Sequence, residues 1–212
     1  MIKRFALLCA GLLMASACSA QNNSAPYTDG DQYVTIAHPE RYAHDGKVEV
    51  VEVFSYGCIH CYHFSPYAEQ LRKSLPKGVS FHFVPASFSP AWEPYARAFY
   101  AARELGVLDR THMELFKEKF HDHYPLNSLD DLADFYAREG VKRDAFMRAA
   151  NSPETDRELA RNDKLIMRWG IEGTPTIVVD GKYRSHHVRN YDELVKMTRW
   201  LVQRELKAKA AR

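Results

Sequence analysis

Hydrophobic positions along the chain change period several times, and each change marks an element. Residues 32–36 alternate apolar and polar and predict a short edge strand. Val48-Glu49-Val50-Val51-Glu52-Val53-Phe54 is a near-continuous β-branched run, the pattern of a strand buried on both faces. Ser55-Tyr56-Gly57 ends it. From Cys58 the period turns helical: Phe64, Tyr67, Ala68, Leu71 and Leu75 recur at helical steps. Pro66 falls inside that pattern, so it predicts a kink and a freed carbonyl at Tyr62. Pro76-Lys77-Gly78 stops the helix, and residues 79–84 predict another strand.

The next segment reads as helices. Residues 93–105 are helical and stop at Gly106. Met113, Phe116 and Phe120 keep helical spacing. Ser128 opens a capping box with Asp131, and that helix stops at Gly140. Ser152-Pro153 is an N-cap followed by proline at the first helical position, starting a run through Leu159, Ile166 and Trp169 to Gly170. Strand signals then return at Thr176-Ile177-Val178-Val179. Asp180-Gly181 predicts a tight hairpin into Lys182-Tyr183-Arg184. A last helix carries Leu194, Met197 and Leu201 on one face. Strands flank both sides of the helical block, so the simplest reading is one α/β domain, 33–86 and 171–212, interrupted by a helical subdomain, 87–170.

The chain has 212 residues, of which 46% are apolar and 12% aromatic, enough for a packed core. Its formal net charge is +2, and Lys3 and Arg4 supply that whole excess. Both precede an apolar run, residues 5–17, which ends in small residues. Ala15-Ser16-Ala17 and Cys18-Ser19-Ala20 are cleavage patterns, so residues 1–20 are expected to be an export signal, too short for a permanent span. Ala15-Ser16-Ala17-Cys18 also resembles a lipobox, although Ala15 stands where Leu is usual. Lipid anchoring through Cys18 and plain cleavage therefore both stay open. Residues 21–32 are expected to be a flexible leader. The mature chain is near neutral, which argues against nucleic acid as a partner.

Of the four cysteines, only Cys58 and Cys61 belong to the folded body, an arrangement that suits a working dithiol better than a stapled scaffold. Cys58 lies where a buried strand hands over to a helix. The unsatisfied N–H groups and partial positive charge there stabilise a thiolate. Cys61, one turn on, can resolve a mixed disulfide. His60 can favour the thiolate by charge or hydrogen bonding, and Ile59 contributes shape and apolar surface. Zinc is the alternative, since Cys58, His60, Cys61 and His63 offer four donors, but a structural site normally draws its second pair from another segment. A purely structural disulfide would close too small a loop to add much stability. His60 as a surface residue is the plainer alternative, as it is for His63, His112, His121, His123, His186 and His187. Glu52 interrupts the apolar strand. Facing the dithiol it could exchange a proton with Cys61; otherwise it points to an edge or an ion pair. In Gly173-Thr174-Pro175-Thr176, proline stands at the start of a strand, where its missing donor is tolerated. A cis Thr174–Pro175 bond would leave the Thr174 backbone groups free.

Two stretches make the resemblance specific. Val51-Glu52-Val53-Phe54-Ser55-Tyr56-Gly57-Cys58-Ile59-His60-Cys61-Tyr62-His63-Phe64 resembles the active-site stretch of DsbA-type periplasmic oxidases. Gly170-Ile171-Glu172-Gly173-Thr174-Pro175-Thr176 resembles their cis-proline loop. The resemblance implies a thioredoxin fold with an inserted helical subdomain, a cis Pro175 facing the dithiol and a proton-handling role for Glu52. It implies a monomeric oxidase with Cys58, Cys61, His60, Glu52 and Pro175 as catalytic residues and Thr174, Gly173 and Ile59 toward substrate. No metal or organic cofactor is expected beyond the Cys58–Cys61 disulfide. Expected partners are folding exported proteins with free thiols and a DsbB-like membrane quinone reductase for reoxidation. Ile59, where many members have Pro, and Thr174, where many have Val, are departures at positions that tune redox strength. The same fold also serves isomerases and reductases, but the segment before residue 48 is too short for the dimerisation module of the dimeric isomerases. A peptide-binding chaperone would survive loss of both cysteines.

Overall fold

The computed structural model describes residues 25–211; the expected export signal, its cleavage patterns and Cys18 lie outside them. Five strands form one mixed sheet in the order β1-β5-β4-β2-β3: β1 (Tyr33–Thr35), β2 (Val48–Phe54), β3 (Val79–Pro85), β4 (Thr176–Val179) and β5 (Tyr183–Ser185). β2 pairs parallel with β3 and antiparallel with β4, and β1 closes one edge against β5. Every residue of β2 is buried, as its unbroken apolar run requires. The β4–β5 turn has Asp180 at φ 52° and Gly181 at φ 64°, the two positive values that a type I′ hairpin needs.

The pleat sends alternate residues of β2 to opposite faces. Val48 and Val50 pack with Phe64, Ala68 and Leu71 of α1 (Ile59–Ser74) and with Leu194, Met197 and Leu201 of α7 (Tyr191–Ala210). Val51 and Val53 pack on the other face with Leu165, Ile166 and Trp169 of α6 (Pro153–Trp169). Between β3 and α6 stand α2 (Glu93–Glu104), α3 (Leu108–Phe120), α4 (Leu129–Arg138) and α5 (Arg143–Ala150). Their own apolar core reaches Phe54, Tyr56, Cys58 and Cys61. The helical block is thereby packed directly against the end of β2 that carries the dithiol.

Local signals explain most boundaries. Ser128 and Asp131 form the capping box, Ser152 caps α6 through the Thr155 N–H, and Gly170 ends it at φ 64°. α1 runs through Pro66 without interruption. The Tyr62 carbonyl that Pro66 leaves without a donor accepts from Ser65 Oγ at 2.8 Å. α5 was not foreseen, because Lys142 at its N-cap supplies no capping side chain and the helix has only eight residues. The leader differs from expectation too. Tyr27 lies 5.7 Å from Trp200 ring to ring, and Asp29 accepts from the Thr35 N–H at 2.9 Å, so the end of that segment is folded onto the domain.

Candidate active site

The site is built where β2 becomes α1. The Cys58 N–H donates to the Ser55 carbonyl at 3.0 Å and the Gly57 N–H to Ser55 Oγ at 3.0 Å, which fixes the connecting turn. Tyr56 is buried, and its hydroxyl lies 2.7 Å from His112 Nδ1 on α3. Burial holds the His112 imidazole down at about 3, so it is neutral and serves as packing and hydrogen-bond partner. Gly57 is required by space: a Cβ there would lie 2.8 Å from the Trp92 indole nitrogen. Nothing in the local pattern announces Trp92, which stands just before α2 and covers the turn from another segment.

Cys58 occupies the N-cap of α1 with extended dihedrals and no side-chain cap of its own. Cys58 as a residue is 8% exposed, whereas Cys61 is fully buried, and both are free thiols. The two differ sharply in acidity. Cys58 is drawn down to about 5, first by the Cys61 thiol as hydrogen-bond donor, against an opposing effect of burial. The Thr174 hydroxyl and the backbone N–H groups of Cys61 and His60 pull in the same direction. Cys61 is pushed far above the ordinary thiol range, by burial first, then by its bond to Cys58 and by the Glu52 charge. From sequence alone the His60 effect falls on the imidazole. In the structure that side chain is exposed, and the backbone N–H of His60 also acts on Cys58. Ile59, next to Cys58, is 39% exposed.

The loop before β4 comes to the dithiol from the far end of the chain. The Thr174–Pro175 bond is cis, and Cys58 Sγ lies 3.5 Å from the Thr174 carbonyl oxygen. Apart from the cysteine sulfurs, the buried Thr174 hydroxyl has no hydrogen-bond partner. Gly173 is exposed and its carbonyl accepts from Thr176 Oγ1 at 2.8 Å. Glu52 sits in β2 between Phe83 of β3 and Ile177 of β4, on the α1 face by alternation. It is 2% exposed, and its Oε2 has no hydrogen-bond partner. Burial, helped by the Cys58 charge, raises its carboxyl to about 8, so it holds a proton at neutral pH. Among the described residues no three His, Cys, Asp or Glu side chains are placed to hold a metal ion, so Cys58, His60, Cys61 and His63 do not converge as a zinc site would demand.

Comparison with known proteins agrees with this geometry. The family model of the DSBA-like thioredoxin domain matches residues 75–197. The thiol:disulfide interchange protein DsbA of Pseudomonas aeruginosa is 33% identical over 94% of this chain and 95% of its own. That of Azotobacter vinelandii is 36% identical over 84% of each. The crystal structure of Pseudomonas aeruginosa DsbA superposes with a TM-score of 0.81, at 34% identity, covering 88% of this chain and 97% of that one. The oxidoreductase DsbA of Xylella fastidiosa gives 0.81 at 36% identity, covering 85% and 98%. A dithiol split into one acidic and one buried sulfur, set in a thioredoxin-type sheet with inserted helices, places this chain in the DsbA family as a thiol:disulfide oxidoreductase.

Proposed function

We propose that the chain is a periplasmic dithiol oxidase that donates the Cys58–Cys61 disulfide to folding exported proteins. The observation that supports this most directly is the difference between the sulfurs: Cys58 keeps a small exposure at the helix start and is acidic, whereas Cys61 is sealed and is not. A substrate thiolate attacks Cys58 Sγ and breaks the disulfide. Cys61 leaves and takes up a proton, with the protonated Glu52 carboxyl as its source. A second substrate thiolate then attacks the substrate sulfur of the mixed disulfide and expels Cys58 as a thiolate. Two electrons pass to the protein and the substrate gains a disulfide, so no metal or organic cofactor is needed. Stabilising the Cys58 thiolate favours the reduced product and makes the disulfide more oxidising.

In this reading Thr174 offers its backbone to an extended substrate segment, beside exposed Gly173 and Ile59, and Pro175 shapes that loop. A DsbB-like membrane quinone reductase returns the dithiol to the disulfide. The basic, then apolar, N-terminus supports export, with Cys18 as the point of attachment if it is lipidated. Cys61→Ser should trap mixed disulfides with exported proteins through Cys58, whereas Cys58→Ser should trap few or none. Non-reducing gels separate the cases. Equal trapping by both variants would show the nucleophile to be misassigned, and a reduction potential in the range of cytosolic thioredoxin would refute the oxidase direction.

A further inference from the structure

Tyr191 opens α7, yet its hydroxyl donates to the carbonyl of His60, 131 positions earlier, at 3.1 Å. That carbonyl and the N–H of Cys61 are the two ends of one peptide unit. The Cys61 N–H is one of the groups that hold the Cys58 thiolate, and it also donates to the Cys58 carbonyl at 3.1 Å. A donor on one end of a peptide unit polarises it and strengthens the donor at the other end. The phenol, the His60–Cys61 peptide and the Cys58 sulfur thus form a short relay. The ring is held for this: its centroid lies 5.4 Å from that of Phe64 and 5.5 Å from that of Tyr67. Asn190 caps α7 by accepting from the Glu193 N–H, so the residue just before Tyr191 is fixed as well.

We propose that Tyr191 is a positioning residue of the redox centre, which stabilises the Cys58 thiolate through the His60–Cys61 peptide and so strengthens the protein as an oxidant. The proposal rests on Cys58 being the nucleophile, and it assigns to α7 a function that the family resemblance does not. The groups facing the Cys58 sulfur are the Cys61 thiol, the Thr174 hydroxyl and carbonyl and the backbone N–H groups of His60 and Cys61, with Glu52 below. The Tyr191 hydroxyl makes its hydrogen bond to the His60 carbonyl and none to either sulfur.

The test is Tyr191→Phe, which keeps the ring and removes only the hydroxyl, with Tyr67→Phe as the same change on the neighbouring ring. Thiolate ultraviolet absorbance against pH and equilibration with glutathione read the two properties at stake. Tyr191→Phe should weaken Cys58 acidity about threefold and make the potential more negative by about 14 mV at neutral pH, from about 30 mV per tenfold for a two-electron couple. The gap should close below about pH 5, where the Cys58 thiol is protonated in both proteins. Tyr67→Phe should change neither. A wild type with an acidic Cys58 and a Tyr191→Phe variant that titrates identically would overturn the relay alone. A gap that persists at low pH would show mere packing and overturn it too. An ordinary thiol titration in the wild type would overturn the relay and the proposed nucleophile together.

Discussion

The acidity of Cys58 should appear as a pH-dependent difference in stability between the dithiol and disulfide forms. The Cys58 thiol is held at about 5 in the folded protein, against 9.0 for an unperturbed thiol. Its folded value is depressed, so the stabilisation is complete above about 9 and is lost as pH falls through about 5. At pH 7 about two of the four units are realised, at about 1.4 kcal/mol each, or about 2.7 kcal/mol. Water at the open end of α1 makes this an upper figure. The disulfide form lacks the thiolate. Its cross-link restricts the unfolded chain by an amount independent of pH, so the change in the gap with pH isolates the thiolate. Between about pH 4 and 7, the dithiol form should gain about 2–3 kcal/mol over the disulfide form. For a chain of this size that is about 5–10 °C in Tm. The same two units make the disulfide about 60 mV more oxidising at pH 7 than it would be with an ordinary thiol. Urea denaturation of both forms at the two pH values measures the gap. A gap that does not change with pH would refute the thiolate account, whatever its absolute size.

Two further substitutions probe the surroundings. Glu52→Gln should remove a pH-dependent cost: the folded state keeps a proton up to about 8 that the unfolded carboxyl releases near 4.5, so the contribution of this one group to wild-type stability falls across that interval. The variant should gain about 3 kcal/mol on wild type between about pH 4 and 7, and parallel denaturation profiles would refute the buried, unpartnered carboxyl. Gly57→Ala should cost about 1–3 kcal/mol, because the new methyl would meet the Trp92 indole at 2.8 Å and Tyr95 at 3.1 Å. Trp92→Ala in the same chain should recover part of that loss in a thermal melt; no recovery would show that the indole is not what crowds position 57.

How much of this was legible in the sequence follows from how local each cause is. The β2 run, the Ser128 box, the Ser152-Pro153 start and the Asp180-Gly181 turn are decided by neighbours within a few positions, and each is found where the pattern put it. The dithiol at a helix start was legible for the same reason. The Thr174 loop was legible only through a whole-motif resemblance, since its sulfur contact spans 116 positions. Trp92 over Gly57, the Tyr56–His112 bond across 56 positions and the Tyr191 bond across 131 had no signal, because each joins segments that only the folded topology brings together. α5 was missed for a different cause, the lack of a capping side chain at Lys142. Residues 21–32 read as leader by composition, and within that segment the Tyr27 ring on Trp200 and Asp29 on the Thr35 N–H tie the chain down.

Cys58 and Glu52 pull the stability of the reduced protein in opposite directions over nearly the same range. Between about 5 and 8 the thiolate adds stability with rising pH while the buried carboxyl removes it, at about 1.4 kcal/mol per unit each. The reduced form is therefore expected to be almost insensitive to pH there. The disulfide form has only the carboxyl and should lose stability steadily. One physical circumstance underlies both groups. The closed space that keeps Cys61 from ionising also keeps Glu52 protonated, because neither charge can be solvated there. A leaving Cys61 sulfur needs a proton at the instant its bond to Cys58 breaks, and the carboxyl below still carries one at neutral pH. A Glu52 paired with a cation would be ionised and would have no proton to give. The missing partner at Oε2 thus costs stability and leaves the carboxyl with the proton that the proposed step would use.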